Sequence, residues 1–271
     1  MSDLTEFARL AVALEPWRKR TVFVGGWAYR LFRYHSLAYT PSYAALFTED
    51  ADIAFHSREP LALDGDIKEA LCRAGFNETL LGEFQPPVAK YVLGDEARGF
   101  YAEFLTPLTG SGIKRNGKPD ATSVHAGISA QKLRHLEVLL HEPWVVNLPA
   151  ADSGISAAIQ DLRIANPVSF IVQKLLIRDL RAREKRSQDV LYIHDALELF
   201  AGSIDELAPL WRSLASSLTD KQRLSVENAA KEMFREVTDT LREAAVIPSD
   251  RRPEPEDMLK LCQYGFGELF G

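Results

Sequence analysis

The chain has 271 residues, 46% of them hydrophobic and 26% charged, enough apolar material to build one large domain or two modest ones and not the composition of a disordered chain. Its net charge of −6 argues against a protein that wraps nucleic acid broadly, because nonspecific phosphate binding needs a basic surface, and leaves room for a local basic groove. Two cysteines, Cys72 and Cys262, lie far apart; they offer neither a zinc-ligand spacing nor a disulfide framework and fit a reduced, cytoplasmic protein.

Residues 4–14 place Leu4, Phe7, Leu10, Ala11 and Leu14 at helical spacing, which predicts a short amphipathic helix. This segment carries Asp3 and Glu6 and has no basic start followed by a long apolar run, so it does not read as a signal peptide. Nowhere do eighteen apolar residues run together, and no membrane partner is expected. Residues 21–24 are β-branched and aromatic and end at Gly25 and Gly26: a strand entering a tight turn. A helix is expected from Trp27, its first turn aiming free backbone N–H groups at whatever sits beside the glycines. Residues 36–46 are irregular, with Pro41 in their midst. A second strand follows at 52–55, then a helix over 66–74 closed by Gly75. Residues 90–93 and 99–105 read as two strands joined by a turn at Gly94, Asp95 and Glu96. The stretch 109–119, rich in Gly, Lys and Arg, reads as a loop or hairpin, and 131–140 as a sheet-edge segment or a helix. From Pro167 the pattern turns helical, first to about Arg183, then over 190–200, 204–218 and 219–245. A Pro-rich, charged linker at 248–255 precedes a short tail.

The chemistry concentrates at Thr48, Glu49, Asp50, Ala51 and Asp52. Alternate side chains of a strand share one face, so Asp50 and Asp52 project together. On the residues alone the pair reads either as two solvated acids at a strand edge or as a seat for a divalent cation. Two close carboxylates repel unless a cation neutralises them, and Mg²⁺ takes one or two carboxylates together with phosphate oxygens. A further acid, Glu103, lies on a later predicted strand.

Taken in order, Val24-Gly25-Gly26-Trp27-Ala28, then Thr48-Glu49-Asp50-Ala51-Asp52-Ile53, then Glu103-Phe104-Leu105-Thr106-Pro107 resemble the DNA-polymerase-β-like nucleotidyltransferase superfamily. Within it they are most similar to the GSL-type bacterial group, related to the AbiEii-type toxins and the minimal nucleotidyltransferases. The resemblance implies that Gly25 and Gly26, with Thr48, cradle a nucleoside triphosphate. It implies that Asp50, Asp52 and Glu103 form the catalytic and metal-binding triad for Mg²⁺ or Mn²⁺, with Glu103 standing where the group usually has Asp. Pro167, Phe170, Lys174, Arg178, Arg181, Lys185 and Asp189 resemble the group's lysine-bearing helix and the basic segment after it.

Spacings of four, three and four would put Lys174, Arg178, Arg181 and Lys185 on one narrow face of a continuous helix. Such a stripe is either solvated and paired with Asp179, Glu184 and Asp189, or a contact for phosphate. With the resemblance, Lys174, Arg178 and Lys185 become nucleotide-binding candidates, and Asp189 a group that orients one of the cations.

The expected fold is α/β in the α+β sense. A nucleotidyltransferase-type mixed sheet with flanking helices occupies 1–150, and a mainly helical domain occupies 151–271. The expected function is transfer of a nucleoside monophosphate from an NTP to a hydroxyl of RNA, protein or a small molecule. The alternative is a nucleotide-binding or toxin–antitoxin-like module of the same fold that does not turn over. The six histidines form neither HxH nor HExxH, which argues against a zinc hydrolase. The Gly-rich segment 110–118 lacks the Gly-Lys-Ser/Thr ending of a P-loop.

Overall fold

A computed structural model describes residues 3–94 and 99–271; Asp95 and Glu96 of the expected turn lie outside them. The chain separates into two compact units. One comprises Met1–Leu31 with Phe47–Ala165, the other Phe32–Leu46 with Asn166–Gly271.

The first unit is built on a mixed sheet, nine-stranded among the described residues. In chain order its elements begin with α1 (Asp3–Ala13), β1 (Val22–Val24), α2 (Gly25–Leu31), β2 (Asp50–Ala54) and α3 (Ile67–Arg73). Then come β3 (Asn77–Leu81), β4 (Val88–Leu93), β5 (Phe100–Pro107), β6 (Thr122–His125) and β7 (Ile128–Leu133). It closes with α4 (Leu136–Leu139), β8 (Trp144–Leu148), α5 (Ala150–Ser153) and β9 (Ile159–Ile164). The main path runs β3-β4-β5-β2-β1-β9-β8, and β7 with its partner β6 joins at the far end of β5. The segment read as either sheet edge or helix is thus both in turn, β7 and then α4.

The apolar stripe predicted for α1 is the one that is buried: Phe7, Leu10, Ala11 and Leu14. Phe7 stacks on Trp27 with ring centroids 4.0 Å apart and meets Phe23 edge-on at 4.9 Å. Each such aromatic contributes on the order of 1.5–3 kcal/mol through burial, so α1 clamps β1 and α2 in place. Asp66 starts α3 by accepting a bond from the Glu69 N–H at 2.9 Å, relieving one of the orphan donors of a helix start.

The second unit is helical: α6 (Pro167–Ile177), α7 (Arg183–Leu199), α8 (Ile204–Ser217), α9 (Asp220–Met233), α10 (Asp239–Ala245) and α11 (Pro255–Phe270). Asn166 caps α6 through the Ser169 N–H at 2.8 Å, with Pro167 in the first turn; proline is tolerated there because its missing N–H would have no intrahelical partner. Three expectations are corrected. The helix from Pro167 does not reach Arg183. It tightens to a 3-10 turn at Arg178–Leu180, and the chain is extended at Arg181 (φ −87°, ψ 139°) and Ala182 (φ −61°, ψ 155°) before α7 begins. The stretch 219–245 is two helices, because Thr238 caps a new start by accepting from the Leu241 N–H at 3.3 Å. The tail is no tail but the sixteen-residue α11, with Met258, Cys262, Gly265, Phe266 and Leu269 buried.

Gly265 marks a close approach of α11 to α7. A Cβ built on it would lie 2.9 Å from a methyl of Leu197. Gly265→Val is therefore expected to overpack this contact and cost about 1–3 kcal/mol. The check is a thermal melt, which should move down while the far-UV spectrum below the transition is unchanged. Among the described residues, no helix is long and apolar enough to cross a membrane.

Candidate active site

The site starts from the pleat of β2. Ala51 and Ile53 are fully buried on one face, while Asp50 and Asp52 on the other are half-buried. Register extends this face sideways. Asp52 lies opposite Val24 of β1 and opposite Glu103 of β5; Asp50 lies opposite Tyr101; Glu103 lies opposite Lys90 of β4. Directly paired residues of neighbouring strands share a face. Lys90, Glu103 and Asp52 therefore form one row across three adjacent strands, which ends where Val24 hands over to the glycine turn.

That turn and the acids shape each other. Gly25 has φ +61°, and a Cβ on it would lie 2.5 Å from Oδ2 of Asp52; a Cβ on Gly26 would lie 3.0 Å from the Thr48 side chain. The backbone can pass this close to Asp52 and Thr48 only without side chains at 25 and 26. Thr48 is buried, and its hydroxyl donates a short hydrogen bond to Oδ1 of Asp50, which fixes the carboxylate's direction. Gly25→Ala is expected to clash with Asp52 and to force a left-handed backbone on alanine, a cost of about 1–2 kcal/mol before the clash is counted. A thermal melt beside wild type checks it: the Gly25→Ala transition should lie at lower temperature.

Glu103 is not unpartnered. The Lys90 ammonium lies 3.2 Å from its Oε1 and 3.9 Å from the centroid of the Tyr101 ring. Burial is the largest single influence and works to lower the Lys90 pKa, but the Glu103 carboxylate and the Tyr101 phenol together outweigh it and the pKa is raised, so the lysine stays charged. Burial and then the Asp50 charge push the Tyr101 phenol up. Lys90 and Tyr101 escaped the sequence reading. Both sit on segments read as strands, but nothing in a strand pattern tells which residue of another strand faces it.

The basic candidates lie in the helical unit, and they do not share a helical face. Lys174 is buried on α6. Its Nζ lies 2.5 Å from Oδ1 of Asp189 on α7, between the rings of Phe170 and Tyr192, each centroid 4.6 Å away. Arg181, on the extended link, reaches the same carboxylate with bonds of 2.8 and 3.3 Å. The break after α6 is what lets Arg181 turn toward Asp189. Burial alone would raise the Asp189 pKa; Lys174 and Arg181 hold it below the usual 3.8. Arg178 is bonded to the Leu175 carbonyl at 3.1 Å and lies within 4 Å of Glu232 and Asp179. Lys174, Arg178, Arg186 and Asp189 line a cavity of about 250 Å³. Lys185 is exposed on α7 and bonds Gln188 at 3.4 Å.

Among the described residues, the acids and histidines that bring three ligand atoms within 4.8 Å of one another are His194, Asp195 and Glu198, not Asp50, Asp52 and Glu103. This cluster already holds a cation. Arg251 lies 2.5 Å from Asp195 and 3.6 Å from Glu198, and Tyr43 donates a short hydrogen bond to Glu198. His194 Nδ1 is 3.0 Å from Asp195. The network ties the segments around Tyr43 and Arg251 to α7.

The first unit thus carries two acids on one strand, a third in register beside them and a Gly-Gly turn packed against them. A family model described as nucleotidyltransferase matches residues 2–216. The chain belongs to that nucleotidyltransferase family, whose chemistry is the transfer of nucleotidyl groups. The match ends within α8, so α9, α10 and α11 lie beyond it. No curated protein and no solved structure matches the chain.

Proposed function

We propose that this protein transfers a nucleoside monophosphate from an NTP to a hydroxyl acceptor on RNA, protein or a small molecule, with Mg²⁺ or Mn²⁺ held by Asp50 and Asp52. The observation that carries the proposal is the seat of Gly25 on Asp52: the backbone of the Gly-Gly turn and a carboxylate meet in one place, in a space that a Cβ would fill. The donors suit the ion, since Mg²⁺ prefers carboxylate and phosphate oxygens. When bound, it supplies charge neutralisation for the triphosphate and for the charge that develops during transfer.

The chain's own residues supply the rest. Gly25 and Gly26 present main-chain N–H groups to the phosphates without steric interference. Thr48 orients Asp50. The acceptor hydroxyl gives its proton to Glu103, its oxygen bonds to the α-phosphorus, the bond to the bridging oxygen breaks, and pyrophosphate leaves. Among the basic candidates of the helical unit, Lys185 is exposed and Arg178 half-buried, and Lys174 can serve as a phosphate contact only by leaving Asp189. The order of the motifs supports placing the chain with the GSL-type and AbiEii-type group.

One observation favours a second reading. Glu103 is already paired with Lys90, as suits a module that binds nucleotide without turnover. Incubation of the protein with each α-labelled NTP, Mg²⁺ or Mn²⁺, total RNA and total protein separates the two. Label that appears with wild type and not with an Asp50→Asn/Asp52→Asn variant supports transfer and reveals the acceptor class. Nucleotide binding without label supports the second reading.

A further inference from the structure

Lys90 is the one cation in the row that holds Glu103 and Asp52, and three features of its placement bear on the ion count. First, it is carried by β4, which is flanked by β3 and β5 in the sheet, so its Cα is fixed by pairing on both sides. Second, its ammonium is held at two points, 3.2 Å from Glu103 and 3.9 Å from the Tyr101 ring, and Tyr101 is the register partner of Asp50. Third, the Glu103 carboxylate is turned to that lysine, which occupies its Oε1.

We propose that Lys90 takes the place of a second divalent cation, so that this site binds one divalent ion, at Asp50 and Asp52, rather than two. The charges balance on that count. In the nucleotide-free site, the state in which ions are counted, three carboxylates and one ammonium leave two negative charges, which one divalent ion neutralises; a second ion on Glu103 would have to displace an ammonium held by Glu103 and the Tyr101 ring. Coulomb repulsion from a fixed positive charge several ångströms away is enough to weaken divalent binding about tenfold even at the dielectric of water. This inference rests on the proposed function, because it assumes that Asp50 and Asp52 hold the ion.

The test counts ions directly. Mn²⁺ is titrated into the full chain and free Mn²⁺ is followed by electron paramagnetic resonance, with the Asp50→Asn/Asp52→Asn variant as the baseline for adventitious surface binding. Wild type is expected to bind one Mn²⁺ above that baseline. Lys90→Met is expected to bind a second ion, or the first about tenfold more tightly, and Lys90→Arg, which keeps the charge, to bind as wild type does. A melting curve like that of wild type qualifies each variant; should Lys90→Met not fold, Lys90→Gln is read in its place. Two ions in wild type, or a Lys90→Met isotherm that superimposes on wild type, would overturn the role of Lys90 and leave the proposed function standing. No Mn²⁺ above the baseline in wild type would overturn both.

Discussion

Asp52→Asn is expected to lower nucleotidyl transfer by at least about 10³-fold while leaving the melting temperature unchanged. The substitution keeps the volume and hydrogen-bonding shape of the side chain but removes the charge that a divalent ion needs. Asp52 sits half-buried between Val24 and Glu103 in the sheet and against Gly25, so neither neighbour can move in to replace it. Loss of a metal-binding carboxylate forfeits several kcal/mol of transition-state stabilisation, and each 1.36 kcal/mol is about a factor of ten in rate. Asp50→Asn should follow the same direction. Thr48→Ala, which leaves the Asp50 charge but frees its direction, should cost about tenfold, the order of one lost hydrogen bond to a charged group. The measurement is the initial rate of label transfer at several Mg²⁺ concentrations. An Asp52→Asn protein within a few-fold of wild type at every Mg²⁺ level would falsify the assignment of the metal seat to β2.

Lys174→Ala is expected to destabilise the helical unit by about 3–5 kcal/mol, the usual cost of stripping one partner from a buried ion pair. Both members are buried, with 5% and 6% of their side chains exposed. Removing the lysine leaves Asp189 with Arg181 alone, and leaves a void between Phe170 and Tyr192. For a unit of this size the loss corresponds to a fall in melting temperature of roughly 12–20 °C. The pair also sets the acid limit of the unit. Because the folded Asp189 pKa lies below its usual 3.8, its contribution is present above that value and is lost as pH falls through the lower folded pKa. Asp189→Asn should remove that part of the acid dependence, and should itself be destabilising because Lys174 and Arg181 then share a neutral amide. Chemical denaturation at pH 7 and pH 3 measures both effects. A Lys174→Ala protein with an unchanged midpoint but weakened NTP binding would instead make Lys174 a phosphate ligand.

This distinction matters for the basic residues as a group. A buried lysine whose ammonium is held by Asp189 serves as a phosphate contact only by giving up that pair, and the pair joins α6 to α7 together with the packing of Phe170 on Tyr192. The four cations that a continuous helix would have lined up are divided among α6, a 3-10 turn, an extended link and α7. What looked like a repulsive stripe is resolved by Asp189, which takes two of the four.

The sequence by itself determined the mixed α/β character followed by helices, the acidic strand, the glycine turn and the apolar stripe of α1. Each is a local or periodic signal: alternation at 50–54, β-branched residues running into Gly25 and Gly26, apolar residues three and four apart. The order of the motifs was legible too, and the family match agrees with it at the level of nucleotidyl transfer. Tertiary structure alone decided which strand lies beside which. The register that sets Lys90 against Glu103 and Glu103 against Asp52 pairs residues far apart in the chain, and periodicity carries no information about it. It also decided where α6 ends. No proline or glycine interrupts residues 174–185, so helix propensity favours continuing; the extended link persists because it lets Arg181 reach a buried carboxylate that would otherwise hold one cation instead of two. The helix at 255–270 was hidden for a related reason: its worth comes from burying Met258, Cys262, Phe266 and Leu269, and burial is decided by neighbours that only the folded unit supplies.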